Sequence, residues 1–199
     1  MTIKTFEPLL YAANRRYPKL SVDEQHVYDI VQSVKRPAYQ RHFVSSFIER
    51  HMGTFIAIHW RFDKRDWQHH CEVKEDNYYC ELVTRVYSNI TETKAAFKAW
   101  LTKTKAESKI NALYFSAPTD ELIIRHVVRE TVFEDEDLLL FDQNDLQPLI
   151  EQWDCVHKDD SFDVLSSLEQ EICYESEIFL FSKISSWSKN ILYQVFFEH

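Results

Sequence analysis

The sequence predicts an α/β protein with a mostly parallel sheet and helices on both faces. Short apolar runs, each too short for a helix, recur along the chain and are typical of buried strands; they occupy 54–60, 112–116, 138–141 and 178–181. Longer stretches between them place apolar residues at i, i+3 and i+4, which is the period of an amphipathic helix. Strands that alternate with helices in this way predict βαβ units and a parallel sheet.

The first 50 residues are predicted to be a helical lead-in that packs on a main Rossmann-like domain formed by residues 51–199. Ser21–Glu24 reads Ser-Val-Asp-Glu, the pattern of a capping box, and predicts the start of a helix. Pro37 interrupts the helical pattern and divides it into two helices. Gly53 is predicted to cap the second helix directly before the first strand.

The main domain is predicted to contain further helices between and beside its strands. Their predicted ranges are 81–87, 93–105, 120–131, 148–153 and 161–175. In the helix over 120–131 the i, i+3, i+4 pattern falls on Leu122, Ile123, His126 and Val127. A last helix is predicted to begin at Ser185 or Ser186, because serine is a favoured N-terminal cap.

Composition excludes several classes of function. The net charge of −9 argues against a nucleic-acid or anionic-membrane partner. No apolar run reaches the roughly 18–20 residues needed for a membrane span, and no secretory signal is visible at the N-terminus. The single glycine in 199 residues excludes glycine-rich phosphate loops. A bound phosphate would therefore need a helix N-terminus and side chains.

Two stretches at predicted strand ends hold the candidate site. The first strand ends on His59 and Arg61, and Ser185-Ser186 follow the last strand at a helix start. Parallel strands end at the same edge of a sheet, so both stretches are expected to border one crevice. The helix N-terminus offers unpaired N–H groups, and Arg61 offers a permanently charged fork that matches a phosphate. A phosphate ester or nucleotide diphosphate fits this crevice.

The same stretches resemble the protein O-fucosyltransferases. The residues His59, Arg61, Asp66, Trp67 and Cys71 resemble that family's first C-terminal motif. The stretch 169–187, which ends in Ser-Ser-Trp, resembles its last motif, and the strand-Thr-Asp segment 113–120 is similar to the one between them. The order and spacing agree over about residues 20–197.

The resemblance implies the C-terminal, donor-binding domain of a GT-B glycosyltransferase. Such enzymes transfer fucose from GDP-fucose to Ser or Thr of small disulfide-rich protein modules in the endoplasmic reticulum and secretory pathway. They invert the anomeric centre and need neither a metal nor another cofactor. The family's N-terminal domain contains a glycine-rich donor motif with no counterpart here, so that domain is expected to be missing. The alternative is a non-catalytic binding or interaction module that keeps the nucleotide-sugar fold.

The resemblance also implies the site residues. The GDP-fucose contacts fall on His59, Trp60, Arg61, Glu169, Ser186 and Trp187. Arg61 takes the catalytic role, because its charge would stabilise the leaving β-phosphate. Glu169 stands where the family usually has aspartate.

The cysteines allow more than one state. Cys71 and Cys80 could form a disulfide, which would indicate an oxidising compartment. His69-His70-Cys71 with Cys80 could also suggest zinc, but adjacent histidines rarely face one metal and no second ligand pair has zinc spacing. The disulfide is therefore favoured, and free thiols remain open.

Overall fold

The computed structural model describes residues 11–13, 36–60, 62, 71, 78–153, 161–181, 187 and 191. Strands within these ranges are β1 (Tyr11–Ala13), β2 (Phe55–His59), β3 (Ala112–Ser116), β4 (Leu139–Asp142) and β5 (Ile178–Phe181). Helices are α1 (Ala38–His51), α2 (Tyr78–Ser88), α3 (Ile90–Glu107), α4 (Leu122–Phe133), α5 (Gln143–Ile150) and α6 (Ser161–Glu175).

The strands form one sheet in the order β1-β5-β2-β3-β4. β2, β3, β4 and β5 are parallel to their neighbours among these four, and β1 is antiparallel to β5 at one edge. The chain moves from β2 through β3 to β4 and then returns to place β5 on the other side of β2. The strand order therefore reverses between β2 and β5, which makes their carboxyl ends a topological switch point. The fold is the predicted α/β arrangement with a Rossmann-like sheet.

Helices cover both faces of the sheet, which explains why its central strands are apolar throughout. All five residues of β2 and all five of β3 are buried. Ile56 and Ile58 pack into a core with α2, α3 and α4. Phe55 and Ala57 pack into a second core with α1, α5 and α6. A strand buried on two faces reads as a continuous apolar run, and this property made the strands predictable.

The predicted ends of α1 are confirmed. Pro37 is its N-terminal cap residue, where the missing N–H of proline has no helical partner to lose. Gly53 follows its C-terminus with φ +63° and donates its N–H to the Ile48 carbonyl at 3.0 Å. A Cβ at this position would come within 3.0 Å of the Asn111 amide nitrogen. Glycine is therefore favoured here by the backbone conformation, and a Cβ would also press on the end of the Asn111 side chain.

The predicted range of the helix at 148–153 is wrong. The observed helix α5 begins five residues earlier, at Gln143, and ends at Ile150. Its start is set by a capping box. The Asp142 carboxylate accepts the Asn144 N–H at 2.8 Å, and the Asp145 carboxylate accepts the Asp142 N–H at 2.8 Å. Pro148 lies inside the helix instead of at its start.

The predicted apolar face of α4 is also partly wrong. Leu122 is 71% exposed and the side chain of His126 is 67% exposed. The buried residues are Ile124, Val127, Val128, Thr131 and Val132. They follow i, i+3, i+4, i+7 and i+8, so they form a longer stripe than the pattern that begins at Leu122.

The lead-in contains a strand as well as a helix. β1, at Tyr11–Ala13, pairs with β5 and lies within the predicted helical lead-in, ahead of its first predicted helix. Its pairing partner is far along the chain, so local periodicity could not indicate it. The helix predicted to begin at Ser21–Glu24 lies outside the described residues.

Candidate functional site

His59 and Ser116 lie side by side at the carboxyl ends of the two central strands. They are register partners in the parallel pairing of β2 with β3, so their backbones are separated by about 5 Å. The Trp60 N–H donates to the Ser116 carbonyl at 2.9 Å and extends this pairing by one residue. Both side chains face the core formed with α6, because side chains alternate between the two faces of a strand.

Trp187 stacks on His59. The two ring centroids are 4.0 Å apart, with an angle of 29° between the ring planes. The indole N–H of Trp187 donates to the Ser166 hydroxyl on α6 at 2.9 Å. His59 is 6% exposed. The stacking and the hydrogen bond fix Trp187 between the end of β2 and the middle of α6.

Glu169 lies one turn after Ser166 on α6 and reaches β3. Its carboxylate accepts the Tyr114 hydroxyl at 3.1 Å and a hydrogen bond from Ser116. The residue is only 8% exposed. Burial raises the pKa of Glu169 from 4.5 to about 7, against the lowering effects of the two hydroxyl donors and of the Arg125 charge. This buried carboxyl group therefore changes charge near neutral pH.

The surroundings of Glu169 contain two further titratable groups. Burial raises the pKa of Tyr114 well above its usual value, and the nearby Glu169 charge raises it further. The same two causes raise the pKa of the free thiol of Cys173. Both groups are therefore uncharged at neutral pH, and the Tyr114 hydroxyl donates to the carboxylate. We call His59, Ser116, Glu169 and Trp187, with the supporting Tyr114 and Ser166, the switch-point site.

Trp60 lies on the opposite face of the sheet from His59. Its indole N–H is 2.5 Å from the Phe62 carbonyl and 3.4 Å from the Tyr87 hydroxyl. The residue is 1% exposed and belongs to the core beneath α2, α3 and α4. The indole is therefore separated from the switch-point site by the sheet.

The predicted contacts are thus only partly assembled in the described part of the chain. Three of them lie near the carboxyl ends of β2 and β3: Trp187 stacks on His59, and Glu169 contacts Ser116, the register partner of His59. Arg61 and Ser186 lie outside the described residues. Their predicted roles remain predictions.

Two contacts, one from Arg36 just before α1 and one from Gln40 in α1, hold α6 against α1. Arg36 and Glu171 form a buried ion pair at 2.6 Å, with side chains 8% and 5% exposed. The Ser167 hydroxyl donates to the Gln40 side chain at 2.8 Å. Since Ser166 and Glu169 stand on the same helix, these contacts also position the switch-point site.

Cys71 and Cys80 form the disulfide that the sequence favoured over a zinc site. The two Cα atoms are 5.7 Å apart, and the bond closes a separation of 9 residues. It ties the segment that follows β2 to α2. No cluster of three or more His, Cys, Asp or Glu side chains that could hold a metal occurs within the described ranges.

Sequence reasoning missed the hydroxyl groups that complete the site. Ser116 could have been found, because it ends the predicted strand over 112–116 as His59 ends the one before it. Tyr114 lies two residues earlier on the same face of that strand. Ser166 carries no comparable signal, since its role depends on where Trp187 lies in three dimensions.

The fold and site define a Rossmann-like α/β protein with a buried acidic and aromatic cluster at the carboxyl ends of β2 and β3, beside its switch point. No protein-family model matches the sequence, and a search of curated proteins finds no match. Among the described helices, none is long and apolar enough to cross a membrane. The function is therefore argued from the switch-point site itself and from the motif resemblance.

Proposed function

We propose that this chain is the donor-binding half of a GDP-fucose-dependent protein O-fucosyltransferase. The observation that supports this most is that Trp187 stacks on His59 while Glu169 contacts Ser116, the register partner of His59. His59, Glu169 and Trp187 come from motifs more than 100 positions apart, and the resemblance assigns all three to one donor site. They lie near the strand ends where open α/β sheets bind their ligands.

In this proposal GDP lies across the carboxyl ends of β2 and β5. Arg61 follows β2 by two residues and grips the diphosphate, and Ser186, next to Trp187, adds a hydroxyl donor. Glu169 acts as a positioning residue, because its carboxylate contacts Ser116 and Tyr114 and holds the end of β3 beside His59.

The proposed reaction breaks the bond between C1 of fucose and the β-phosphate oxygen, and its electron pair leaves with GDP. A new bond forms between C1 and the oxygen of a Ser or Thr hydroxyl on the opposite face of the sugar, and the hydroxyl proton is released. Negative charge develops on the β-phosphate during this step. A fixed cation such as Arg61 stabilises that charge, and loss of one such donor costs about 3–4 kcal/mol in transition-state stabilisation.

The proposed acceptors are small disulfide-rich modules in the secretory pathway. The Cys71–Cys80 disulfide supports this compartment, because disulfides persist where the environment is oxidising.

Isothermal titration with GDP tests the donor site. We expect saturable binding that falls by at least about tenfold in Arg61→Ala, since a charge-assisted contact is lost. Arg41→Ala is the matched control, because Arg41 is an exposed arginine on α1. Absence of saturable binding up to millimolar GDP, or equal affinity in Arg61→Ala, would contradict the proposal. Fucose transfer from GDP-fucose to a folded acceptor module then separates the enzyme from a binding module.

A further inference from the structure

A second cleft opens two strands away from His59, at the carboxyl end of β4. Its volume is about 440 Å³, which is within the range of small-molecule sites. One wall is α4, and the other is the start of α5. The lining residues are Thr119, Leu122, Arg125, His126, Arg129, Asp142, Gln143 and Asn144. We call this the arginine cleft.

Arg125 is a fixed donor in the arginine cleft. Its guanidinium donates to the Ala117 carbonyl at 2.7 Å, to the Pro118 carbonyl at 3.4 Å and to Asp142 at 2.9 Å. The side chain is 14% exposed. These bonds use one N–H on each guanidinium nitrogen, so each terminal nitrogen keeps a second N–H. An anion in the cleft would therefore meet a donor whose orientation is already set.

Arg129 provides a second guanidinium one turn further along α4. It approaches the Asp142 carboxylate at 3.8 Å, beyond hydrogen-bonding distance, and its side chain is 57% exposed. Two guanidinium groups and the Asp142 carboxylate give the arginine cleft a net charge of +1, and a second carboxylate, Asp145, lines the cleft beside it. That balance suits a singly charged carboxylate better than a phosphate monoester, which has a charge of about −1.5 to −2 at neutral pH.

An apolar cleft of about 350 Å³ continues from the arginine cleft along β4, with Arg129, Asp142 and Asn144 lining both. Its apolar lining includes Val132, Phe133, Leu138, Leu139 and Leu140. Phe133 is 77% exposed and Leu139 is 54% exposed. β4 is an edge strand of the described sheet.

We propose that the two clefts together bind an amphipathic monocarboxylate. The carboxylate binds between Arg125 and Arg129, and the apolar tail lies along Phe133 and Leu139. From Arg129 to Phe133 α4 rises about 6 Å, and from Asp142 to Leu139 β4 extends about 10 Å. The tail is therefore roughly 6–10 Å long. This site lies apart from the donor site proposed above and does not depend on it.

Titration with sodium octanoate, followed by NMR of the Asn144 side-chain amide and by calorimetry, tests the proposal. We expect one saturable site for octanoate, with much weaker binding of acetate and of uncharged octanol. Arg129→Gln should weaken octanoate binding by at least about tenfold, because a charge-assisted hydrogen bond is lost. Phe133→Ser should weaken octanoate binding several-fold and leave acetate unchanged.

Two control variants match these changes elsewhere on the surface. Arg85→Gln removes an arginine that is 60% exposed and paired with Glu92, and Phe162→Ser removes a phenylalanine that is 71% exposed. Both should keep the affinity of the unchanged protein. The proposal would be overturned if octanoate showed no saturable binding or if octanol bound as tightly as octanoate. Tighter binding of octyl phosphate, or full octanoate affinity in Arg129→Gln, would also overturn it. Arg129 and Phe133 are both mostly exposed, so the fold should survive their substitution, and circular dichroism checks this.

Discussion

Replacement of Glu169 by glutamine should change how the stability of this protein depends on pH. Glutamine keeps the size of the side chain and cannot ionise. Glu169 is buried between Tyr114 and Ser116, and its pKa is raised from 4.5 to about 7. In the unfolded chain the carboxyl group returns to its ordinary value. The folded state therefore binds this proton more tightly than the unfolded state does.

The sign and size of the effect follow from linkage. Below pH 4.5 Glu169 is protonated in both states, and its full contribution to stability is present. As pH rises through 7 the folded protein must hold a buried charge, and that contribution is lost. A shift of about 2.5 pKa units corresponds to about 3 kcal/mol in the free energy of unfolding.

Urea unfolding measured from pH 4.5 to pH 8.5 would detect this difference. We expect the wild-type protein to lose about 3 kcal/mol more than Glu169→Gln across the range. If the glutamine amide makes weaker hydrogen bonds than the carboxyl group, the cost should be the same at every pH. It would then lower the free energy of unfolding of Glu169→Gln uniformly and leave its dependence on pH unchanged. Glu107→Gln, at a side chain 64% exposed, is the control and should follow wild type. Parallel curves for wild type and Glu169→Gln would refute the reasoning.

Three further substitutions test the frame around the site. Arg36→Ala should cost about 3–5 kcal/mol in the free energy of unfolding, because it leaves Glu171 charged and buried without its 2.6 Å partner; a cost below 1 kcal/mol in urea would contradict this. Gly53→Ala should cost about 1–2 kcal/mol, since its φ of +63° is unfavourable for a residue with a Cβ; thermal unfolding at or above the wild-type midpoint would contradict it. Replacement of Cys71 and Cys80 by serine should cost about 2–3 kcal/mol for a separation of 9 residues, and a double variant as stable as wild type would contradict that.

The sheet could be predicted from sequence because both its faces are covered. β3 and β5 occupy the predicted ranges, and β2 lies within its predicted range. Their residues must be apolar on both sides, and runs of four to seven residues bounded by polar segments are short for a helix, so their length favours strands. α4 was harder to predict, because Leu122 and Val127 satisfy a helical pattern whose stripe is only half buried. The predicted stripe begins at Leu122 and the buried stripe begins at Ile124. Which of them faces the core depends on how α4 packs against the sheet.

A site residue could be predicted from sequence only where a side chain with distinctive chemistry stands at the end of a predicted strand. His59 has both properties, so it was found. Ser116 has the same position but a less distinctive side chain. The raised pKa of Glu169 was beyond sequence reasoning, because burial causes it and burial depends on how α6 packs on β3. A carboxylate on a helix otherwise reads as a solvated surface residue.

The arginine cleft and the switch-point site share a stretch of backbone. Arg125 binds the carbonyl groups of Ala117 and Pro118, and the preceding Ser116 binds Glu169. The charge of Arg125 lowers the pKa of Glu169, and the charge of Asp142 raises it. A carboxylate bound at Arg125 adds negative charge near the same group. It should therefore raise the pKa of Glu169 further.

Linkage makes this effect reciprocal, so protonation of Glu169 should strengthen octanoate binding. We expect the octanoate affinity to fall as pH rises from 6 to 8, a range in which octanoate itself stays ionised. Calorimetry on Glu169→Gln tests this coupling, because the variant cannot ionise at this position and should lose the part of the fall that Glu169 causes. Identical pH profiles in wild type and Glu169→Gln would show that the two sites are independent, and the shared backbone at 116–118 would then be a structural connection alone.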